Sequence, residues 1–150
     1  MQFKDWAAKK ELEELETSPE EIAELLRLAD QNLLDCEFLS TAPISNDLYH
    51  SCVYRAALPL AKVSLRAEGY RVPASAEKGH VILLDALTFT VDKRSKYKTQ
   101  LQVARLVRNQ ATYTSATTHQ RSDIDNLLKT VRELRVDIET WLRREHPELI

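Results

Sequence analysis

The amino-acid sequence predicts an all-α fold, an up-down bundle of four to six helices in which residues 1–150 form one domain. Three observations predict it. The 150 residues include only 2 glycines, whereas β-hairpins and bulges usually depend on glycine. Strong helix formers (Leu, Ala, Glu, Lys and Arg) dominate the chain. Apolar residues recur at helical spacing in most segments, and a hydrophobic fraction of 43% is sufficient for one core.

The first long helix is predicted to begin at Ser18. Ser18 is a capping residue, Pro19 suits the first helical position, and Glu21 lies where the second half of a capping box is expected. Apolar residues then follow with a helical period: Ile22, Leu25, Leu26, Ala29, Leu33 and Leu34. A shorter helical extension is expected within residues 1–17, around Phe3, Trp6, Leu12 and Leu15.

The second long helix is predicted between two loops. Residues 42–46 form the first loop, which contains Pro43 and ends in a capping residue. The helix then extends from about Leu48 to Gly69, because glycine is the residue best suited to a helix C-terminus. Residues 70–79 are predicted as the second loop.

The C-terminal half is predicted to be helical as well. Residues 81–91 suit either a helix or a strand, and we favour a helix because the sequence offers no second strand to pair with them. Residues 97–111 form the next helix, which is expected to fray over 112–118. The clearest pattern predicts the last helix, over residues 124–142, and it ends before Pro147.

Charge is distributed unevenly along the chain, although the net charge is only −2. The N-terminal part is acidic, and residues 93–122 contain no Asp or Glu. Such asymmetry favours an anionic partner for the basic segment. The alternatives are an ordinary solvated surface or a contact with the acidic part of a second copy. We predict that these basic residues bind nucleic acid: Lys93, Arg94, Lys96, Lys98, Arg105 and Arg108.

Several classes of enzyme lack their signatures here. The sequence contains no Gly-rich phosphate loop, no paired-cysteine zinc motif, no G-x-S-x-G and no H-E-x-x-H. We therefore predict no cofactor. His50 and Cys52 are two positions apart on a predicted helix and do not share a face, so a metal site that adds Cys36 to them is not predicted.

The sequence also predicts where the protein works. It shows neither a signal-peptide core nor a lipidation pattern, and no apolar run approaches the roughly 20 residues that span a bilayer. The chain's 2 cysteines fit reduced thiols better than a disulfide framework. We expect a cytoplasmic protein that does not associate with membranes.

Two arginines are candidates for phosphate contacts. On a helical wheel Arg105 and Arg108 share a ridge with Leu101, so they flank the apolar stripe rather than oppose it. An arginine at the edge of a core stripe either packs its aliphatic stem and forms a salt bridge, or it faces a phosphate group.

The segment Arg108-Asn109-x-x-x-Tyr113 resembles the C-terminal motif of HEPN domains, the α-helical superfamily named for higher eukaryotes and prokaryotes nucleotide-binding. The resemblance covers about residues 18 to 145, and the order and spacing of several short segments support it. Upstream segments that resemble the family are Leu25-Leu26-x-x-Ala29, Leu33-Leu34-Asp35-Cys36, Tyr54-Arg55-Ala56-Ala57-Leu58, Gly69-Tyr70-Arg71 and Gly79-His80.

The resemblance implies a four- or five-helix bundle that forms a homodimer. In active members, Arg-Asn motifs from two copies form one cleft that cleaves RNA without a metal ion. Such members act in toxin–antitoxin pairs, often beside a nucleotidyltransferase partner, and in other defence or stress systems. By this resemblance Arg108 would stabilise the phosphate and Asn109 would orient it. His80 also matches a family position, and its alternative role is to bond backbone at a helix start.

Tyr113 stands where the family's nuclease motif has a histidine, and His119 lies outside the motif spacing. A tyrosine with a pKa near 10 exchanges protons poorly at neutral pH. Five residues also turn a helix by about 140°, so Arg108 and Tyr113 do not share a face of an unbroken helix. We therefore predict an RNA- or nucleotide-binding protein that is degenerate as a nuclease.

Two alternatives to this function stay open. The first is a metal-independent endoribonuclease with Arg108, Asn109 and Tyr113 as its catalytic residues, or with His119 in place of the tyrosine. The second is a non-catalytic module that binds another protein, in which Arg108 and Asn109 make structural hydrogen bonds.

Overall fold

The computed structural model describes residues 2–76, 78–113 and 120–150, without the side chains of Gln2 and residues 110–113. Its elements are α1 (Gln2–Ala8), β1 (Glu13–Glu14), α2 (Pro19–Ser40), α3 (Asn46–Ala67), β2 (Tyr70–Arg71), α4 (Gly79–Ala86), a 3-10 helix (Leu87–Phe89), α5 (Lys96–Tyr113), α6 (Arg121–Glu145) and a second 3-10 helix (Pro147–Leu149). Apart from one short strand pair, the described elements are helical, which confirms the predicted all-α character.

Helix α2 begins as the sequence predicts, with one difference. The Ser18 hydroxyl accepts a hydrogen bond from the Glu21 amide at 3.1 Å. The Glu21 carboxylate does not complete a capping box, and that part of the prediction is wrong. It accepts instead from the Thr17 hydroxyl at 2.9 Å and from Arg66 on α3 at 2.8 Å, because a buried guanidinium is the stronger partner for a carboxylate.

Helix α3 is the central element of the core. Ser45 caps its start by accepting from the Leu48 amide at 3.1 Å, and the chain leaves it through Gly69, whose φ of 86° favours glycine. Most of its residues are buried, including Tyr49, Tyr54 and Leu60. α3 packs against α2, α4, α5 and α6, so a side chain on α3 can contact groups from several helices.

The N-terminal segment differs from the prediction. Helix α1 ends at Ala8, and the helical extension expected around Leu12 and Leu15 is wrong beyond that point. The chain is extended there because β1 pairs antiparallel with β2, which lies in the segment predicted as the loop 70–79. Arg66 fixes this arrangement by donating to the carbonyls of Leu15 and Glu16 at 2.9 and 2.6 Å.

The helical interpretation of residues 81–91 is confirmed by α4 and the 3-10 helix that follows it. Asp92 stabilises the start of helix α5. Its carboxylate accepts hydrogen bonds from the amides of Tyr97 and Lys98 at 3.1 and 2.7 Å. Helix α6 covers the predicted last helix and ends at Glu145, before Pro147.

The buried apolar side chains form one cluster, to which every long helix contributes. Its largest fully buried members are Tyr49, Tyr54, Leu12, Ile22, Leu60, Leu65, Leu84, Leu87, Leu101, Ile124, Leu134 and Ile138. None of the helices in the described part of the chain combines the length and the apolar composition that a membrane span requires.

Candidate nucleic-acid interface

Three helices bring together a tyrosine, a histidine and an arginine that the sequence separates widely. The hydroxyl of Tyr54 on α3 lies 3.2 Å from Nδ1 of His80, at the start of α4. The guanidinium of Arg108 on α5 lies over the ring of the same tyrosine, 5.4 Å from its centroid. This is cation–π geometry, and burial of the tyrosine ring strengthens it. Tyr54 is fully buried, whereas His80 is exposed and Arg108 is partly exposed.

The electrostatic environment of this group is positive. The pKa of His80 lies below its ordinary value, first because the imidazole loses hydration against its neighbours and then because Arg108, Lys62 and Arg105 are close to it. Burial raises the pKa of Tyr54, while Arg108 and Arg105 oppose that rise. His80 is therefore neutral at pH 7 in the free protein, and Tyr54 keeps its proton.

Gln102 on α5 fixes the second arginine of the group. Its amide nitrogen donates to the Val81 carbonyl at 3.1 Å and to the Asp85 carboxylate at 2.9 Å, which attaches α5 to α4. Its amide oxygen accepts from Nε of Arg105 at 2.9 Å. The orientation of the Arg105 guanidinium is thus set by a hydrogen bond. We call Tyr54, Lys62, His80, Arg105 and Arg108 the basic cluster.

The remaining predicted nucleic-acid contacts do not join this cluster. Lys96 pairs with Glu133 on α6 at 2.8 Å, and Lys98 lies 3.6 Å from Asp85. Nζ of Lys93 donates to the Phe89 carbonyl at 2.9 Å.

The length of α5 separates the two ends of the basic segment. Lys96 and Arg108 are twelve positions apart, which corresponds to a rise of about 18 Å along the axis. Arg94 is exposed and lies before the helix starts. Among the described residues of the basic segment, Arg105 and Arg108 are the cations whose charges act on His80.

Arg121 belongs to the same acid-free segment of the sequence but has a structural role. Its guanidinium donates to the carbonyls of Leu39, Ala42 and Ile44 at 3.1 to 3.3 Å, at the end of α2 and in the loop that follows. It also lies over the ring of Tyr49, 4.9 Å from the centroid. These contacts join the start of α6 to the α2–α3 loop.

The structure describes only some of the side chains that are predicted to be catalytic. Arg108 is in the basic cluster, and Asn109 is exposed beside it on α5. The side chain of Tyr113 and the whole of His119 lie outside the described residues. Nδ1 of His80 lies 3.2 Å from the Tyr54 hydroxyl, a contact that the sequence does not predict.

The sequence does not predict a site role for Tyr54 or Lys62 of the basic cluster, or for Gln102, which orients Arg105. Tyr54 was noticed only as part of the family resemblance, and Lys62 and Gln102 were not noticed. A polar residue at a buried position of an apolar stripe is the signal that could have found Tyr54. The sequence has no comparable signal for Lys62 or Gln102, whose roles depend on how α4 and α5 pack.

An apolar cavity lies elsewhere on α5. Its volume is about 300 Å³, and Val103, Val107 and Leu127 are among the side chains that line it. None of the residues of the basic cluster lines it. Its apolar lining makes it unsuitable for a phosphate group.

The chemistry available at the basic cluster is that of anion binding. Within the described ranges, no three side chains of His, Cys, Asp or Glu come together in a way that could hold a metal ion. Comparisons with protein-family models, with curated proteins and with solved structures found no match for this chain. The resemblance to HEPN domains therefore depends on the residues of the chain alone.

Proposed function

We propose that this chain is a HEPN-like protein that binds RNA or a nucleotide through phosphate contacts at the basic cluster. The observation that supports this most directly is the contact of Arg108 with Tyr54, whose hydroxyl in turn contacts His80. Arg108 is therefore both the arginine of the motif that resembles the family and a member of the basic cluster.

The electrostatics of the cluster suit a phosphate. The charged residues that lower the pKa of His80 are Arg108, Lys62 and Arg105, and all three are cations. A phosphate bound there would interact favourably with all three cations and would raise the pKa of His80. Because phosphate contacts release counterions from the nucleic acid, affinity for RNA is expected to fall steeply with salt.

The hydrogen bond between Tyr54 and His80 supports phosphate binding in one of the two imidazole tautomers. When the Tyr54 hydroxyl donates to Nδ1 of the neutral His80, the proton of the imidazole lies on Nε2. An Nε2–H group can donate to a phosphate oxygen. It cannot accept the 2′-hydroxyl proton, which a general base must do when RNA is cleaved without a metal.

The resemblance extends the proposal to partners and context. We infer a homodimer whose two basic clusters lie near one another, with a nucleotidyltransferase-type protein as a second partner. The setting that fits is a toxin–antitoxin pair or another defence or stress system. These inferences derive from the resemblance, and a neighbouring gene for a nucleotidyltransferase would support them.

A second candidate function is metal-independent RNA cleavage, favoured by the proximity of His80 and Arg108. His80 would replace the histidine that the motif lacks at Tyr113. With the opposite tautomer, Nε2 would take the proton of the 2′-hydroxyl as that oxygen attacks the phosphorus. The P–O bond to the 5′-oxygen would break, that oxygen would take a proton from water, and a 2′,3′-cyclic phosphate would remain. Arg108 would stabilise the charge on the phosphorus-bound oxygens.

The experiment that tests both functions uses fluorescently labelled single-stranded and hairpin RNA in EDTA over a salt series. We compare the parent protein with Arg108→Gln and with Arg94→Gln, a matched control that removes one exposed arginine from the same segment. Loss of a charge-assisted hydrogen bond of about 1.5–3 kcal/mol corresponds to a tenfold or greater loss of affinity. We expect that loss in Arg108→Gln and less than about twofold in Arg94→Gln.

Other results would change the assignment. Cleavage that Arg108→Gln abolishes would establish the ribonuclease. Equal losses in the two variants would indicate non-specific attraction to the basic segment. No binding at any salt, together with a lower melting temperature in Arg108→Gln, would indicate the protein-binding module and would contradict the proposal.

A further inference from the structure

The two cysteines of the chain are close neighbours in the structure. Cys36 is on α2 and Cys52 is on α3, and their sulfur atoms are 3.0 Å apart as free thiols. A disulfide has an S–S length of about 2.05 Å, so bond formation needs a sulfur displacement of only about 1 Å. Helices α2 and α3 pack along their lengths, which keeps the two thiols in register.

The two thiols differ in their access to solvent. Cys36 is fully buried. Cys52 is partly exposed and lines a surface groove together with Phe38, Leu48 and Arg55. A small oxidant therefore reaches Cys52 first. Arg55 and Asp35, which carry opposite charges, line the same groove.

Cys36 is suited to the second step of an oxidation. Burial and the neighbouring Cys52 raise the pKa of the Cys36 thiol well above its ordinary value, so it is protonated and inert toward solutes. Its only neighbour with redox chemistry among the described residues is Cys52. A modified Cys52 sulfur, 3.0 Å away, is the group that it can attack.

We propose that Cys36 and Cys52 form an oxidation site that converts to an intramolecular disulfide when the protein reacts with hydrogen peroxide. In the first step the Cys52 thiolate attacks one peroxide oxygen, the O–O bond breaks, and Cys52 sulfenic acid and hydroxide form. In the second step the Cys36 sulfur attacks the sulfenic sulfur and the S–O bond breaks. The thiol proton leaves with the oxygen as water, and the S–S bond forms.

The disulfide would join α2 to α3 across the loop at residues 41–45. In total the two thiols lose two electrons. One molecule of hydrogen peroxide gains these electrons and becomes two water molecules. A dithiol reductant reverses the change by thiol–disulfide exchange. This inference does not depend on the proposed RNA binding, since it concerns a different face of α3.

The test treats the full chain with stoichiometric hydrogen peroxide, followed by thiol counting in denaturant and intact-mass measurement. We expect both thiols to be lost, the mass to fall by two hydrogen atoms, and dithiothreitol to restore both thiols. Trypsin leaves both cysteines in one peptide, because residues 28–55 contain no Lys or Arg before Arg55. A second cleavage before Asp47 separates the cysteines unless a disulfide joins them, so the fragments stay together only after oxidation.

Two variants test which cysteine acts in each step of the oxidation. In Cys36→Ser we expect Cys52 to gain oxygen and form no intramolecular disulfide. In Cys52→Ser we expect the Cys36 thiol to survive the same treatment. A parent protein that keeps both thiols, gains oxygen without losing hydrogen, or forms only disulfides between chains would overturn the proposal. The parent result decides the question even if a variant folds poorly.

Discussion

The Tyr54 hydroxyl lies 3.2 Å from Nδ1 of His80, and this contact joins the buried helix α3 to the exposed start of α4. Tyr54 also contacts Arg108 through its ring. One buried tyrosine thus sets the position of both groups that a phosphate would meet. A site whose exposed members are held by a buried residue needs little rearrangement when a ligand binds.

The first prediction concerns the protonation of His80. Its pKa is expected below the ordinary value of about 6.5, and Arg108→Gln should raise it because one of the neighbouring positive charges is removed. The measurement is an NMR titration of the imidazole signals, with Arg94→Gln as the control. A pKa that is unchanged in Arg108→Gln would show that the guanidinium does not act on the imidazole.

The second prediction concerns the pH dependence of RNA affinity. A bound phosphate favours the charged imidazole, so the pKa of His80 should be higher in the complex than in the free protein. Affinity should therefore rise as the pH falls from 8 to 5.5. Fluorescence anisotropy in the parent protein and in His80→Gln measures this.

His80→Gln provides the decisive comparison for that prediction. Its affinity should vary much less with pH, because the glutamine side chain does not titrate in this range. If the variant and the parent showed the same pH profile, His80 would not contact the bound phosphate, and the site would have to be placed elsewhere on α5.

The helix starts show which parts of the fold could be predicted from the sequence. Ser18 and Pro19 stabilise the start of α2 through interactions within one helical turn, so the local sequence pattern predicts that start. The Asp92 carboxylate accepts from amides five and six residues away, beyond the spacing of a capping box, and it was missed. β1 and β2 consist of two residues each, and their pairing depends on contacts far apart in the sequence.

The candidate site was predicted only in part, for a similar reason. The composition of residues 93–122 shows that cations are concentrated there. Composition does not show that Lys96 faces Glu133 while Arg108 faces Tyr54, because this depends on how α5 packs. The Tyr54–His80 contact joins residues 26 positions apart, and neither residue's neighbours in sequence indicate it.

The third prediction concerns stability at high pH. Tyr49 donates to Asp125 at 2.7 Å, and Tyr97 donates to Asp137. Burial first, and then these carboxylates, raise the pKa of both phenols. Above the ordinary value of about 10 the unfolded chain loses these protons and the folded chain keeps them. The free energy of unfolding should therefore decrease with pH there, by about 1.4 kcal/mol per pH unit for each phenol.

Chemical denaturation at several pH values between 8 and 11 measures that slope. Tyr97→Phe should lower the stability at pH 8 by about 1 kcal/mol, because a hydrogen bond is lost. It should also flatten the decrease above pH 10. An unchanged slope in both Tyr49→Phe and Tyr97→Phe would show that these phenols do not account for the alkaline loss.

The last prediction compares two ion pairs that differ in burial. The Arg66 side chain is 7% exposed and pairs with Glu21, whose side chain is 39% exposed. Arg71 and Glu13 form a pair of similar length with exposures of 51% and 44%. Removing one partner of a fully buried pair costs about 3–5 kcal/mol, and an exposed pair contributes about 0–1 kcal/mol. Because Glu21 is still partly hydrated, Glu21→Gln should lower the free energy of unfolding by about 2 kcal/mol, and Glu13→Gln by less than about 1 kcal/mol.

The pH dependence of the same pair gives an independent check. The hydrogen bond from Arg66 lowers the pKa of Glu21 below its ordinary value of 4.5. The stability that Glu21 contributes is therefore fully present above that value and is lost as the pH falls through it toward the lowered pKa. Denaturation between pH 6 and pH 3 should show a smaller loss in Glu21→Gln than in the parent. Two results would contradict the prediction: an equal loss of stability in Glu21→Gln and the parent at low pH, or equal destabilisation by Glu21→Gln and Glu13→Gln at pH 7. Either result would mean that the backbone carbonyl contacts, and not the Glu21 carboxylate, hold Arg66 in place.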